Sequence, residues 1–247
     1  DTNQPGGASR IPNGTDTDTT SDWVRNDYDG AGLPALNPGT PEIGEALNTP
    51  GAANEIVLPP MADLQITEIW AGNEPGSNLT ADWFEITNTG TIAWTPASGE
   101  LYYDDESQDP ASAAIISGIT SIQPGEVVVV VDDVDSSEFL SVWAPSYNLS
   151  GIQIGTYAGA GLGQGGDGVT LWIGDPTTTG VLADFETYPD ANANGGQSYD
   201  VELMAFSVVG NANNAGETSV LNDAMQPAIG SPGNQGPTLS INDHDLS

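Results

Sequence analysis

From Asp63 onward the apolar residues recur at alternate positions in short runs, and each run is closed by Gly, Pro, Asn or Asp. Leu64-Gln65-Ile66-Thr67-Glu68-Ile69-Trp70 alternates in this way, as does Asp82-Trp83-Phe84-Glu85-Ile86-Thr87-Asn88 before the turn at Gly90. A strand sends successive side chains to opposite faces, so this period specifies sheets with one face buried. Glu126 to Asp132 is instead a continuous valine run, the pattern of a strand covered on both faces. Val169 to Ile173, Val181 to Phe185 and Tyr199 to Val209 extend the series, and only Glu138 to Trp143 reads as a helical turn. Many short strands with turn signals between them predict an all-β sandwich.

Residues 1–60 read differently. They are polar and rich in Pro and Gly, with turn signals at Asn13-Gly14, Asp29-Gly30 and Pro50-Gly51. Asn54 to Met61 reads as a linker stiffened by Pro59-Pro60. Two stretches recur in the second part of the chain: Gly6-Gly7-Ala8-Ser9-Arg10 is similar to Gly195-Gly196-Gln197-Ser198-Tyr199, and Thr49-Pro50-Gly51-Ala52-Ala53-Asn54 to Ser231-Pro232-Gly233-Asn234-Gln235-Gly236. The expected organisation is therefore an extended segment over 1–61 that resembles the end of a preceding repeat, one sandwich over 62–236, and a C-terminal strand or start of a further module over 237–247. Chance similarity in a sequence of low complexity is the alternative reading of the repeat.

Composition excludes several functions. The chain has 247 residues with 35 Asp or Glu, no lysine, and Arg10 and Arg25 as its only strong bases, for a formal charge of -33. Phosphate backbones are bound by neutralising them with Lys and Arg, so nucleic acid and anionic membrane surfaces are poor partners for this chain. The longest apolar run, Val127 to Val131, is far too short for membrane insertion. With no cysteine and one histidine, His244, thiolate chemistry, Cys-ligated zinc and a Ser-His-Asp triad drop out. An acidic, lysine-free chain rich in Asn, Thr, Gly and Ser reads as secreted or cell-surface material from a saline or calcium-containing medium. It opens on Asp1 rather than Met, as a processed or excised piece would.

The strand blocks resemble a known family, the bacterial lamin tail domain. Ile66-Thr67-Glu68-Ile69 and Asp82-Trp83-Phe84-Glu85-Ile86-Thr87-Asn88-Thr89-Gly90 are similar to its opening signature, and Ile122-Gln123-Pro124-Gly125-Glu126-Val127-Val128-Val129 to its turn into a central strand. Gly166-Asp167-Gly168-Val169-Thr170-Leu171 with Gly180-Val181-Leu182-Ala183-Asp184 is similar to its later block, and Phe139-Leu140-Ser141-Val142-Trp143 to the segment between. The resemblance covers 62–236 and implies an immunoglobulin-like β-sandwich without catalytic residues, in proteins that are secreted or surface-exposed, often in tandem or attached to extracellular enzymes. Thr95 to Ala113 is longer and more acidic than that pattern. Pro237-Thr238-Leu239-Ser240-Ile241-Asn242-Asp243 is similar to the first strand of a Calx-beta repeat.

Three acidic clusters offer oxygen ligands of the kind calcium requires: Asp16, Asp18, Asp22, Asp27 and Asp29; Asp104, Asp105 and Glu106; and Asp132, Asp133 and Asp135. The competing reading is solvated loop carboxylates that confer solubility. Asn13, Asn78 and Asn148 stand in glycosylation sequons within turns, so attached glycans are an expectation. Gly161-Leu162-Gly163-Gln164-Gly165-Gly166 spells a nucleotide-binding fingerprint, but a strand and not a helix follows it, so it reads as a loop. Trp70, Trp83, Trp143 and Trp172 read as core, and Trp94 as core or an exposed carbohydrate platform. Edge strands accept added strands. The first expectation is thus a non-catalytic structural protein in an array or filament of neighbouring copies joined head to tail, with Ile11, Trp23, Val24, Ile56, Val57 and Leu58 filling apolar slots. The alternatives are an accessory adhesion or positioning module of a large secreted hydrolase, and a carbohydrate-binding module built on Trp94.

Overall fold

A computed structural model describes residues 8–10, 16–25, 62–72, 82–132, 136–222 and 224–233. The chain divides into two compact units, Asp1–Pro60 and Met61–Ser247. In the first unit two strands, β1 (Ala8–Arg10) and β2 (Trp23–Arg25), pair antiparallel with Arg10 opposite Trp23.

The described part of the second unit is an all-β sandwich carrying one short helix. In chain order its elements are β3 (Leu64–Trp70), β4 (Trp83–Asn88), β5 (Leu101–Asp104), β6 (Ala114–Ile115), β7 (Val127–Asp132), α1 (Ser136–Trp143), β8 (Ile154–Tyr157), β9 (Asp167–Ile173), β10 (Val181–Tyr188), β11 (Tyr199–Asp200), β12 (Ala205–Phe206), β13 (Gly216–Leu221) and β14 (Pro227–Gly230). One sheet has the order β12-β11-β3-β4-β7-β8 and a second the order β10-β9-β5-β6, while β13 and β14 form a separate hairpin. The pairs are antiparallel except β7 with β8, whose parallel pairing needs the crossover that α1 supplies.

Two cores lie on opposite faces of the six-stranded sheet. Leu64, Ile66, Ile69, Phe84, Ile86, Val128 and Val130 meet Leu101, Tyr103, Val169 and Leu171 of the four-stranded sheet. The other face carries Trp70, Trp83, Val129 and Val131, which meet Phe139, Val142 and Trp143 of α1 and Ala228 of β14. That double cover is why the valine run is buried throughout. The helix turns one apolar stripe inward through positions three and four apart, and Glu138 in its first turn favours the helix N-terminus. Trp143 meets Trp70 and Trp83 edge-on, with ring centroids 5.3 Å and 5.4 Å away. This is the preferred arrangement for opposed ring quadrupoles.

The alternation of β3 is broken, contrary to the strict period read from the sequence. Ile66 pairs with Ile86 and Glu68 with Glu85, so Thr67 is an extra residue in a bulge. Strict alternation from Leu64 would send Glu68 into the inter-sheet core. The bulge sends Ile69 there instead and puts Glu68 on the outer face beside Trp70. Next to the bulge, Ile66 N donates to Asp184 Oδ2 at 2.7 Å, at a second bulge in β10. Ser117 and Thr156 exchange both backbone hydrogen bonds and join the other edges of the two sheets. The expected strand over Tyr199 to Val209 is two short ones, because Asp200 accepts Leu203 N in a turn between them.

Candidate functional site: a buried acidic clasp

Neither arginine lies beyond Arg25 and there is no lysine, so the sandwich unit contains no permanent cation. Its buried carboxylates therefore have no lysine or arginine partner within the unit. Three of them lie side by side on the outer face of the large sheet: Asp200 is opposite Glu68 across β11 and β3, and Glu68 is opposite Glu85 across β3 and β4. All three are almost wholly buried. Directly opposed residues on neighbouring strands are within about 5.5 Å at their β-carbons, close enough for like charges to repel.

What satisfies these acids is the last segment of the sandwich. Glu68 Oε1 accepts from Ser231 N at 2.8 Å and from the Ser198 hydroxyl, and Oε2 accepts from Ser231 Oγ at 2.8 Å. Ser207 Oγ lies 2.8 Å from Ser198 Oγ and extends the network. Glu85 accepts from Gly233 N. Asp200 accepts from Leu203 N at 3.0 Å and from the Asn213 amide. Burial pushes the Glu68 carboxyl up to about 7 against the hydrogen bonds from Ser198 and Ser231. Burial first and the neighbouring Glu68 second hold Glu85 well above the usual carboxylate range, and burial also raises Asp200. Two buried carboxyls on directly opposed residues cannot both ionise freely. The donors assign the charge to Glu68, which has three, and the retained proton to Glu85, the pair titrating as one unit.

The strap that closes this clasp is fixed by its glycines. A β-carbon on Gly230 would sit 3.0 Å from Trp143, 3.1 Å from Ser198 Oγ and 3.2 Å from Glu68 Oε1. Gly233 has φ +77°, and a β-carbon there would run into the tip of the Ile152 side chain. The Tyr147 hydroxyl donates to Gly230 O at 2.6 Å and accepts from Gly216 N at 2.9 Å, bridging facing residues of the β13–β14 hairpin. The sandwich thus holds a Ser-Pro-Gly segment by backbone N–H groups and one hydroxyl against two buried acids.

The sequence-derived candidates fall elsewhere. Asp22 accepts from Thr17 N and Oγ, both at 2.6 Å, which lowers its pKa, and Asp16 pairs with Arg10 at 3.0 Å, with the same effect. Asp18 is exposed at φ +56°. Asp16 and Asp22 are thus engaged separately in one turn, and Asp27 and Asp29 lie outside the described residues. Asp104 caps a loop through Ser107 Oγ and Asp109 N, both at 2.7 Å. Glu106 is raised by its hydrogen bond to Asp167. Asp132 N donates to Asp82 O at 2.8 Å, while Asp133 and Asp135 lie outside the described residues. Asp82, which accepts from Gly72 N and Leu162 N, is pushed up to about 6 by burial. Among the described residues no three acidic or histidine side chains are grouped to hold a metal ion.

Asn148 is exposed in a turn, whereas Asn13 and Asn78 lie outside the described residues. Trp94 is buried and donates to Gly99 O at 3.1 Å, which removes the exposed-platform reading. Trp23 is half exposed with the Arg10 guanidinium 4.7 Å over its ring, and the Val24 backbone pairs with Ser9. Ile11, Ile56, Val57 and Leu58 lie outside the described residues. Gly159 to Gly166 is the loop expected, with Ala160 O and Gly163 O accepting from the Tyr103 and Tyr188 hydroxyls. No helix among the described residues is long and apolar enough to cross a membrane.

A scan against protein-family models, a search of curated proteins and a search of solved structures each return no match. The acid clasp was missed as a site in the sequence, although a signal was present. Glu68 and Glu85 each interrupt an apolar run, in a unit with no cation to pair with either.

Proposed function

We propose that this chain is a non-catalytic extracellular structural protein, a repeating unit of a surface array joined head to tail through its terminal segments. The observation that carries the reading is the clasp: the sandwich completes itself by burying an end segment, Ser231 to Gly233, against Glu68 and Glu85. A second segment of the same pattern, Thr49-Pro50-Gly51, lies in the first unit. A fold closed by such an end piece is suited to tandem or exchanged assembly, as in strand complementation. The lamin-tail-like pattern and the lysine-free, acidic surface support an extracellular setting. Under this reading divalent cations and a glycan on the exposed Asn148 would moderate self-repulsion between neighbours.

The test compares the full chain with one lacking residues 1–58, by light scattering and negative-stain microscopy, in calcium and then in EDTA. Filaments or regular oligomers that disappear on deletion are expected, and their loss in EDTA would place calcium at the joints. Assembly that survives the deletion would sink the proposal. A monomer under both conditions would replace it with a single bead of a longer polypeptide.

A further inference from the structure

We infer that the Glu68–Glu85 clasp is an exchangeable seat, and that Thr49-Pro50-Gly51 of a second copy fills it when Ser231-Pro232-Gly233 is withdrawn. This rests on the head-to-tail reading above and names its joint.

The seat sets narrow requirements. Its first position must present a backbone N–H and a hydroxyl together, because Ser231 uses both on the two oxygens of Glu68. Ser and Thr are the short side chains that supply this. The middle position needs no N–H, and proline there fixes the backbone in advance. The third must have no β-carbon, since Gly233 sits at φ +77° against Ile152, and it must donate its N–H to Glu85. Ser or Thr, then Pro, then Gly occurs at two places in the whole sequence, 231–233 and 49–51. The likeness runs upstream as well, with Ala46-Leu47 standing where Ala228-Ile229 do. Ala228 is fully buried under the tryptophan face, where a small residue is needed.

One difference sets the order of preference. Asn48 stands where Gly230 does, and a β-carbon at Gly230 meets Trp143, Ser198 and Glu68 at 3.0–3.2 Å. The 49–51 segment therefore binds the seat more weakly than 231–233, which is also favoured by being tethered to the same sandwich. Closure within one chain is therefore favoured in dilute solution, and exchange takes over at concentrations where neighbouring chains compete for the seat.

Gly233→Ala in the full chain loosens the strap from the seat, because alanine adopts φ +77° only with strain and its β-carbon must push the Ile152 side-chain tip aside. Light scattering should then report multiples of the 25.4 kDa chain. Adding Gly51→Ala should return the monomer, and adding Asn48→Gly should lower the concentration needed for assembly by about tenfold, the effect of roughly 1.4 kcal/mol. A Gly233→Ala chain that keeps native tryptophan emission yet stays monomeric overturns the inference, and so does equal assembly with and without Gly51→Ala. Should Gly233→Ala fail to fold, the wild-type chain decides through a synthetic peptide spanning residues 44–54 at millimolar concentration. Loss of hydrogen-exchange protection at the Ser231 and Gly233 amides with that peptide, but not with its Gly51→Ala form, supports exchange, and unchanged protection refutes it. If wild-type assembly persists in Gly51→Ala, the array reading stands and this joint does not.

Discussion

Replacing Glu85 with Gln should remove part of the pH dependence of the clasp. In the folded protein burial holds the Glu68 carboxyl at about 7 rather than 4.5, with Glu85 raised beside it. The folded form thus binds a proton more tightly than the unfolded chain does. Its contribution is complete below pH 4.5 and is lost as the pH rises through 7. At about 1.4 kcal/mol per pH unit, that interval is worth about 3 kcal/mol of wild-type stability. Burial keeps that Glu68 contribution in the variant, while the amide introduced by Glu85→Gln carries no charge and removes the second contribution, that of Glu85. The variant should match the wild type within about 1 kcal/mol at pH 4.5 and, with the raised Glu85 carboxyl gone, exceed it by at least about 1.4 kcal/mol, one pH unit's worth, at pH 8.5. Asp82, raised to about 6 by burial, loses its contribution with the same sign between 3.8 and 6, in both proteins. The difference between the two curves therefore isolates Glu85. Urea titrations followed by tryptophan fluorescence at a series of pH values provide the assay, with a midpoint gain of at least about 0.5 M at pH 8.5. An unchanged pH slope, or a Glu85→Gln chain weaker than the wild type at pH 8.5, would show that the fold does not hold Glu85 in its protonated form.

Two further substitutions test how the strands and the strap are tied down. Asn88, fully buried, donates to Ile92 O at 2.9 Å and Ile122 O at 2.7 Å while accepting from Asp63 N and Gly90 N. Asn88→Asp keeps the shape but removes both donors, so a loss of about 3 kcal/mol or more is expected in urea denaturation, and a loss below about 1 kcal/mol would contradict this geometry. Tyr147→Phe leaves Gly216 N and Gly230 O without the bridging hydroxyl. It should cost about 1–3 kcal/mol and speed amide exchange at Gly216, with the tryptophan emission unchanged; unaltered exchange there would show that the bridge holds nothing.

Most of the sandwich was legible because short apolar runs closed by turn residues mark β3, β4, β7 and β9, although β4 is buried on both faces where its alternation predicts one. Leu64 to Trp70 is a strand with the bounds its alternation suggested, and the valine run occupies the doubly covered position that its uniformity required. The bulge at Thr67 was not legible, since an extra residue leaves Ile66, Glu68 and Trp70 still spaced by two. The clasp was hidden for a related reason. Its parts, residues 68, 85, 198 and 231, are far apart in sequence, and serine and glycine carry no periodic signal. Acid-rich loops drew attention through local density, yet in the described residues Asp16, Asp22 and Asp104 serve turns.

The absence of cations explains why the clasp takes this form. A buried carboxylate is neutralised by an ion pair, by hydrogen bonds or by a proton. A unit without Lys or Arg retains the last two, and the Glu68–Glu85 pair uses both. An arginine clasp would depend on one side chain reaching one acid in fixed geometry. Here the donors are two backbone N–H groups and one strap hydroxyl, with Ser198 supplied by the sandwich itself. Backbone donors are common to every non-proline residue. What selects the segment is therefore the hydroxyl at its first position and the missing side chain at its third. A seat that reads so little side-chain chemistry recognises a short pattern rather than a surface, and the chain carries that pattern twice. Proton release from the pair above pH 7 weakens the hold on whichever copy of the pattern is seated, so exchange between chains should be faster at pH 8.5 than at pH 5, and slower exchange at the higher pH would break the link between the proton and the strap.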